Sequence, residues 1–356
     1  MIKMLHSADW HLDAPMQGFT EAQRGFLRAE LRKVPEKVAR LCRANDCQVL
    51  LLAGDLFDGS YSADTLHMVQ QVLGELQIPV LISPGNHDHL GPGSPYEQPG
   101  WPENVHIFRE QKMTCFTLEA LGLQVWGAGY TAMDCPGLLE GFRAEGSQPF
   151  QIGLLHGDPE TASAYCPITK QQLRDCGLKY LALGHIHKAD SLRAGDTACA
   201  WPGCPMGRGF DELESKGVIL VTLDGSVGAN FINLDTPRFM DMEIEAGEDA
   251  ADALSSVLPA LPSSDFFRVT LTGYSAGVDL AQLQKSFAHI PNLTLRDATR
   301  PEMDLWSAVG EDTLEGVYFS LLQDATHHDN ATIARRAALA ARISRHILDS
   351  QEVKLP

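Results

Sequence analysis

Asp9 and His11 stand one residue apart in the segment HSADWHLD. Further along come Asp55 in LAGDLFD, then Asn86, His87 and Asp88 in SPGNHD, His156 in GLLHGD, and His185 with His187 in ALGHIHK. Each motif by itself is common, and a lone histidine after an apolar run is more often a satisfied loop residue than a ligand. Five such motifs in a fixed order, each behind an apolar run, together offer carboxylate, amide-oxygen and imidazole donors. Mn²⁺, Fe²⁺ and Zn²⁺ accept that mixture. The chemistry in view is that of bound divalent cations.

These residues need elements to carry them. Residues 1–8 read as a buried first strand. Residues 21–47 follow a helical pattern, with Leu31, Val34, Val38 and Leu41 on one side and Pro35 weakening the middle. VLLLAGD, a helix over 62–76 and IPVLISPGNHD complete a β-α-β rhythm, which predicts a mostly parallel sheet with its active loops beyond the carboxyl ends of the strands. Short strands are expected at 105–108, 114–118 and 124–127, strand-to-loop junctions at 150–156 and 179–185, and a hairpin around Asp224-Gly225. After Thr236-Pro237 the pattern becomes strand, helix, strand, helix, strand, a small α/β module. Two helices follow, over 313–322 and 333–348. The expected organisation is a catalytic domain at 1–235, a second module at 236–305 and a helical region at 306–356.

The chain has 356 residues, 44% of them hydrophobic and 21% charged, as in ordinary globular proteins. It holds no apolar run of about 18 residues, which predicts no membrane span. Its first residues, MIKMLHSADWH, lack the apolar core of a signal peptide. Eight scattered cysteines without a CxxC pair read as reduced, mostly buried thiols, and the expected location is cytoplasmic. The formal charge of −18 runs against the basic excess usual in proteins that neutralise many nucleic-acid phosphates. However, Lys and Arg are absent from Ala44 to Phe108, a stretch that holds Asp55, Asp58, Asp64 and Asp88. Bound cations would balance such a tract. The basic residues crowding 24–43 are interleaved with Glu30 and Glu36, as on a solvated helix face.

The series D-x-H, GD, GNHD, H, GHxH resembles the signature of calcineurin-like metallophosphoesterases, over about the first 190 residues. The resemblance implies an α/β sandwich of mixed sheets flanked by helices. It also implies one metal held by Asp9, His11 and His187, a second held by Asn86, His156 and His185, and Asp55 bridging the two, a pair of ions that would acidify water, hold phosphate oxygens and hydrolyse a phosphate ester. His87 is then left to position the phosphate or protonate the leaving oxygen. Asp88 is expected either to orient His87 or to cap its loop.

Within that superfamily, HSADWHLD, GDLFD, GHIHK and WPGCPMGRGF resemble the SbcD family of DNA-repair nucleases, with Asp13 standing where Gly is usual after HL. Serine/threonine phosphatases look for Arg directly after GDxxD, where this chain has Gly59, and for Glu at the position of Asp88. The SbcD resemblance implies Mn²⁺-dependent cleavage of DNA, an α/β capping domain, a homodimer formed through the early helices, and C-terminal helices that hold an SbcC-type, SMC-like ATPase. Two other readings stand beside it: a small-substrate phosphodiesterase on the same fold, which the acidic charge favours, and a non-catalytic scaffold for an ATPase, against which the intact donor set argues.

Overall fold

The computed structural model describes residues 1–160, 162–247, 249–275, 277–300 and 304–348. The chain forms two compact units, one of residues 1–241 with 264–267, the other of residues 242–263 with the chain from 268 onward.

The first unit runs β1 (Ile2–Ser7), α1 (Glu21–Leu31), α2 (Val34–Ala44), β2 (Val49–Leu52), α3 (Ala63–Glu75), β3 (Val80–Ile82), β4 (Val105–Ile107), β5 (Thr114–Leu118), β6 (Leu123–Gly127), β7 (Phe150–His156), α4 (Lys170–Asp175), β8 (Tyr180–Gly184), β9 (Asp190–Ala194), β10 (Thr197–Trp201), β11 (Gly217–Asp224) and β12 (Ser226–Asn233). These strands make two six-stranded sheets, in the orders β12-β11-β1-β2-β3-β4 and β5-β6-β7-β8-β10-β9. The centre of each is parallel, β1 to β4 in one and β6-β7-β8-β10 in the other. Antiparallel pairings add β11 and β12 at one edge of the first sheet and β5 and β9 at the two edges of the second, so both sheets are mixed around parallel centres.

Alternation along the strands explains the sandwich. Met4, Val49, Leu51 and Leu81 share a core with Val125, Ile152, Leu154 and Ala182 of the other sheet. Their neighbours Leu5, Leu50 and Leu52 face the opposite way, onto Leu27, Val38 and Val69 of the helices. Leu155, Leu181 and Leu183 turn to the outer side with Leu173 of α4. Strands buried on both faces must be apolar at every position, which is why they read as continuous runs. The buried His6 bridges the sheets: Tyr180 Oη donates to its Nδ1 at 2.9 Å, and its Nε2 donates to the Leu183 carbonyl at 3.1 Å.

The long helical pattern at 21–47 is two helices, and Pro35 lies in the first turn of α2, where its missing N–H costs nothing. Thr20 closes a capping box with Gln23 at the start of α1. The basic residues pair locally, Arg24 with Glu21, Lys33 and Lys37 with Glu30, and Arg43 with Glu36. Asp13 adopts φ +66°, a conformation open to Gly, and its carboxylate accepts from Ser62 N and Thr65 Oγ1 at 2.7 and 2.9 Å, at the start of α3. All eight cysteines are free, and seven of them are buried.

The second unit contains most of a three-stranded sheet, β13 (Phe239–Glu245), β14 (Phe266–Thr272) and β15 (Leu293–Asp297), with α5 (Ala250–Val257) and α6 (Leu280–Ser286), followed by α7 (Leu314–Thr326) and α8 (Ala331–Leu348). The last two helices pack on each other around Phe319 and Ala341, with the Arg345 guanidinium 4.3 Å over the Phe319 ring. No described helix is long and apolar enough to cross a membrane.

Candidate metal centre

The predicted donors lie at or just past the carboxyl ends of β1, β2, β3, β7 and β8, and the structure brings them together. Four sit in left-handed backbone: Asp9 (φ 53°), His11 (φ 47°), Asp55 (φ 50°) and His185 (φ 96°). Such conformations strain side-chain-bearing residues by about 1–3 kcal/mol, and the neighbourhood holds them there. Asp9 N donates to Gly54 O and His11 N to Asp55 O, locking the first loop to the second. The glycines of the motifs make room. A Cβ on Gly54 would stand 2.5 Å from His156 Nδ1, and one on Gly85 would overlap the Asp55 carboxylate.

Two groups of donors converge. In the first, His11 Nε2 and His187 Nε2 are 3.1 Å apart, and Asp9 completes a triad with them. His11 gives its Nδ1 proton to Asp58 Oδ1 at 2.8 Å, and His187 Nδ1 meets Glu212 Oε1 at 2.7 Å. The two Nε2 atoms therefore converge on one point, beside the Asp9 carboxylate. In the second group, His156 Nδ1 donates to the Ala53 carbonyl, so its bare Nε2 meets Asn86 Oδ1 at 2.9 Å, with His185 Nδ1 3.3 Å from the same oxygen. Acceptor against acceptor at these distances is repulsive unless a cation lies between. Ligand nitrogens about 2.0–2.1 Å from one ion are themselves separated by roughly 3 Å. Asp55 Oδ2 lies between the groups, 3.4 Å from His156 Nε2 and 3.8 Å from His11 Nε2. The residues fit a pair of cations, with Asp55 placed to bridge them.

The electrostatics agree. Burial lowers the imidazoles of His11 to about 3 and of His156 and His185 to about 4, so they are neutral at neutral pH, as a ligating imidazole must be. Burial and then the Asp55 charge push Asp9 well above the usual carboxylate range, and burial likewise raises Asp55. Two buried carboxylates side by side are costly as anions until positive charge joins them.

His87 sits at the open rim, its side chain 42% exposed, with its backbone N–H on Asp55 Oδ1 at 2.9 Å. The carboxylate beside its ring is Asp58, 3.1 Å from Nδ1, and this hydrogen bond raises the His87 imidazole above its ordinary value. The expectation that Asp88 orients His87 is thereby corrected. Asp88 accepts from the backbone N–H groups of Asp55, Leu56, Phe57 and Gly85 and from Tyr96 Oη, so it clamps the two ligand loops. Loop capping was its other expected role.

Four further residues escaped the sequence reading. Asp58 serves His11 and His87, Asp158 faces His185 Nε2 at 3.5 Å, and Glu212 holds His187 while itself held by Arg208. Asp58 and Asp158 lie within the motifs already noticed, in GDLFD and HGD. Arg208 lies inside WPGCPMGRGF and Glu212 just past its end, without a chemical role read for either from the sequence.

Residues 2–189 match the family described as calcineurin-like phosphoesterase. The chain belongs to this family. The chain resembles the uncharacterized metallophosphoesterase YhaO of Bacillus subtilis (strain 168), with 33% identity over 249 residues, covering 65% of this chain and 60% of that protein. The chain thus matches under two thirds of that relative's length. Among solved structures, a dimetal phosphatase from Danio rerio aligns with 65% of this chain and 96% of its own, at 12% identity and a TM-score of 0.45. The protein TT1561 of Thermus thermophilus aligns with 65% and 98%, at 11% identity and a TM-score of 0.39.

Proposed function

We propose that this chain is a two-metal phosphodiester hydrolase acting on DNA, a nuclease of the SbcD kind. The observation that carries the hydrolase reading is the pair of converging acceptor groups spanned by Asp55. Cations bound there would supply the positive charge that holds a phosphate and acidifies a water. The chain's own residues do the rest. Asp58 and Glu212 hold their histidines in one tautomer. Asp88 fixes the loop that presents Asn86 and His87. His87, exposed and paired to Asp58, is placed to hold a phosphate oxygen or to donate a proton to the leaving oxygen.

DNA as the substrate rests on the likeness of HSADWHLD, GDLFD, GHIHK and WPGCPMGRGF to the SbcD pattern. Mn²⁺ suits the mixed oxygen and imidazole donors, as do Fe²⁺ and Zn²⁺. The same reading includes a homodimer and an SMC-like ATPase partner seated on the C-terminal helices. Supporting it, Leu314, Val317, Leu321 and Ile347 are exposed on α7 and α8, and a cavity of about 540 Å³ lined by Leu314, Tyr318 and Ile347 opens between them.

The test is incubation with Mn²⁺ and end-labelled duplex, hairpin and single-stranded DNA, beside a cyclic dinucleotide and a mononucleotide. Chelation and Asp55→Asn are expected to abolish release of label. His87→Ala is expected to lower kcat by on the order of 10²–10⁴ while Mn²⁺ stoichiometry stays unchanged. Intact DNA with rapid turnover of the cyclic dinucleotide would replace the nuclease with a small-substrate phosphodiesterase, the reading that the −18 charge favours.

A further inference from the structure

Arg208 belongs to none of the ligand motifs, although WPGCPMGRGF contains it, and it lies among the residues that orient the candidate ligands. Among the described residues it is the arginine or lysine ion-paired to the centre's carboxylates. Its Nε and Nη2 donate to the two oxygens of Glu212 at 3.3 and 2.6 Å, a forked pairing that fixes both groups in one plane. Its backbone N–H adds a third hydrogen bond to Glu212 at 2.8 Å. The remaining nitrogen, Nη1, stands 3.8 Å from Asp58 Oδ1. Nη2 is also 3.0 Å from His187 Nδ1, because both donate to the same Glu212 oxygen.

The consequence follows from what those carboxylates hold. Glu212 orients His187, and Asp58 orients His11 and His87. One guanidinium therefore braces the supports of both imidazoles in the first donor group, together with the support of the rim histidine. Its contacts do not extend to Asn86, His156 or His185, whose supports are Ala53 O and Asp158. The side chain is 20% exposed, and two of its three nitrogens are already committed to Glu212.

We propose that Arg208 is a positioning residue that preorganises the Asp9–His11–His187 half of the centre by joining Glu212 to Asp58. The inference rests on the two-cation reading of the site. A flexible ammonium cannot reproduce it, since Lys offers a point charge where Arg offers a planar fork.

The test is calorimetric titration of Mn²⁺ into the full chain and into Arg208→Met and Arg208→Lys, with steady-state kinetics on a chromogenic phosphodiester. Wild type is expected to bind two ions. In Arg208→Met one binding event is expected to weaken by about 10–100-fold, as outer-shell substitutions typically do, with the other unchanged. Arg208→Lys should lose most of the same affinity, and it carries the test if the Met variant does not fold. The Arg208→Met and Glu212→Gln effects should be non-additive, because one acts through the other. Wild-type affinity in both Arg208 variants would overturn the proposal. So would an unchanged affinity with a raised KM, the mark of a direct grip on substrate, or equal weakening of both events, the mark of general loosening. Failure of the wild type to bind any cation is a different result, which would sink the two-cation reading itself.

Discussion

His6 shows how a single buried residue ties packing to pH. Both its ring nitrogens are spent between the sheets, and burial lowers its imidazole to about 3. The unfolded chain protonates this residue near its ordinary pKa of about 6.5, so from there down to about 3 the unfolded state holds the extra proton and stability falls with pH. A His6→Gln variant loses the bridge and also loses this acid penalty. Its destabilisation should be largest at neutral pH and shrink as pH falls from 6.5 toward 4, read from paired thermal melts of the metal-loaded proteins. A gap that stays constant across that range would mean that His6 titrates alike in both states. The donors Asp9, His11, Asp55, Asn86, His156, His185 and His187 were legible from residue type and order. Their supports were less so: Glu212 reaches His187 from 25 positions away, and that contact exists only after folding.

At the scale of elements, the ligand loops stand on one carboxylate. Asp88 receives four backbone donors and the Tyr96 hydroxyl from three different stretches of chain. Burial and the neighbouring Asp55 push its carboxyl up to about 6. Each buried donor left without a partner costs about 1–3 kcal/mol, so Asp88→Ala should lower unfolding free energy by about 3 kcal/mol or more in urea titrations. A loss below about 1 kcal/mol would show that the loops keep their shape without the clamp. The buried strands followed from apolar runs and α3 from the helical pattern over 62–76, which Ser62 caps in the structure. The hairpin of β9 and β10 and the short α4 did not. DSLRA is largely exposed at a sheet edge, so it lacks the apolar signal of a central strand. Pro35 was read as a weak point inside one helix, whereas it starts a second, because a proline is tolerated in a first turn. The β-α-β rhythm fits the parallel centres and the Asp224-Gly225 turn gave the β11–β12 hairpin, whereas the antiparallel edges at β5 and β9 depend on contacts made only after folding.

At the scale of the whole molecule, the net charge of −18 sets how a polyanion arrives. Repulsion between like-charged bodies is screened over about 10 Å at 0.1 M salt. Turnover of DNA at low substrate concentration should therefore rise as salt is increased from about 10 to 100 mM, the reverse of a protein with a basic track. A steep fall with salt would reveal a local positive path that outweighs the total charge. The buried acids at the centre have a consequence for selection. Asp9 and Asp55 occupy left-handed backbone, which Asn tolerates well, and both are disfavoured as anions while no cation is bound. Asp55→Asn should raise the melting temperature of the metal-free protein while removing its bridging ligand. A library of this chain screened for heat resistance in chelator would drift toward inactive sequences at these two positions, because stability and activity ask for different residues there.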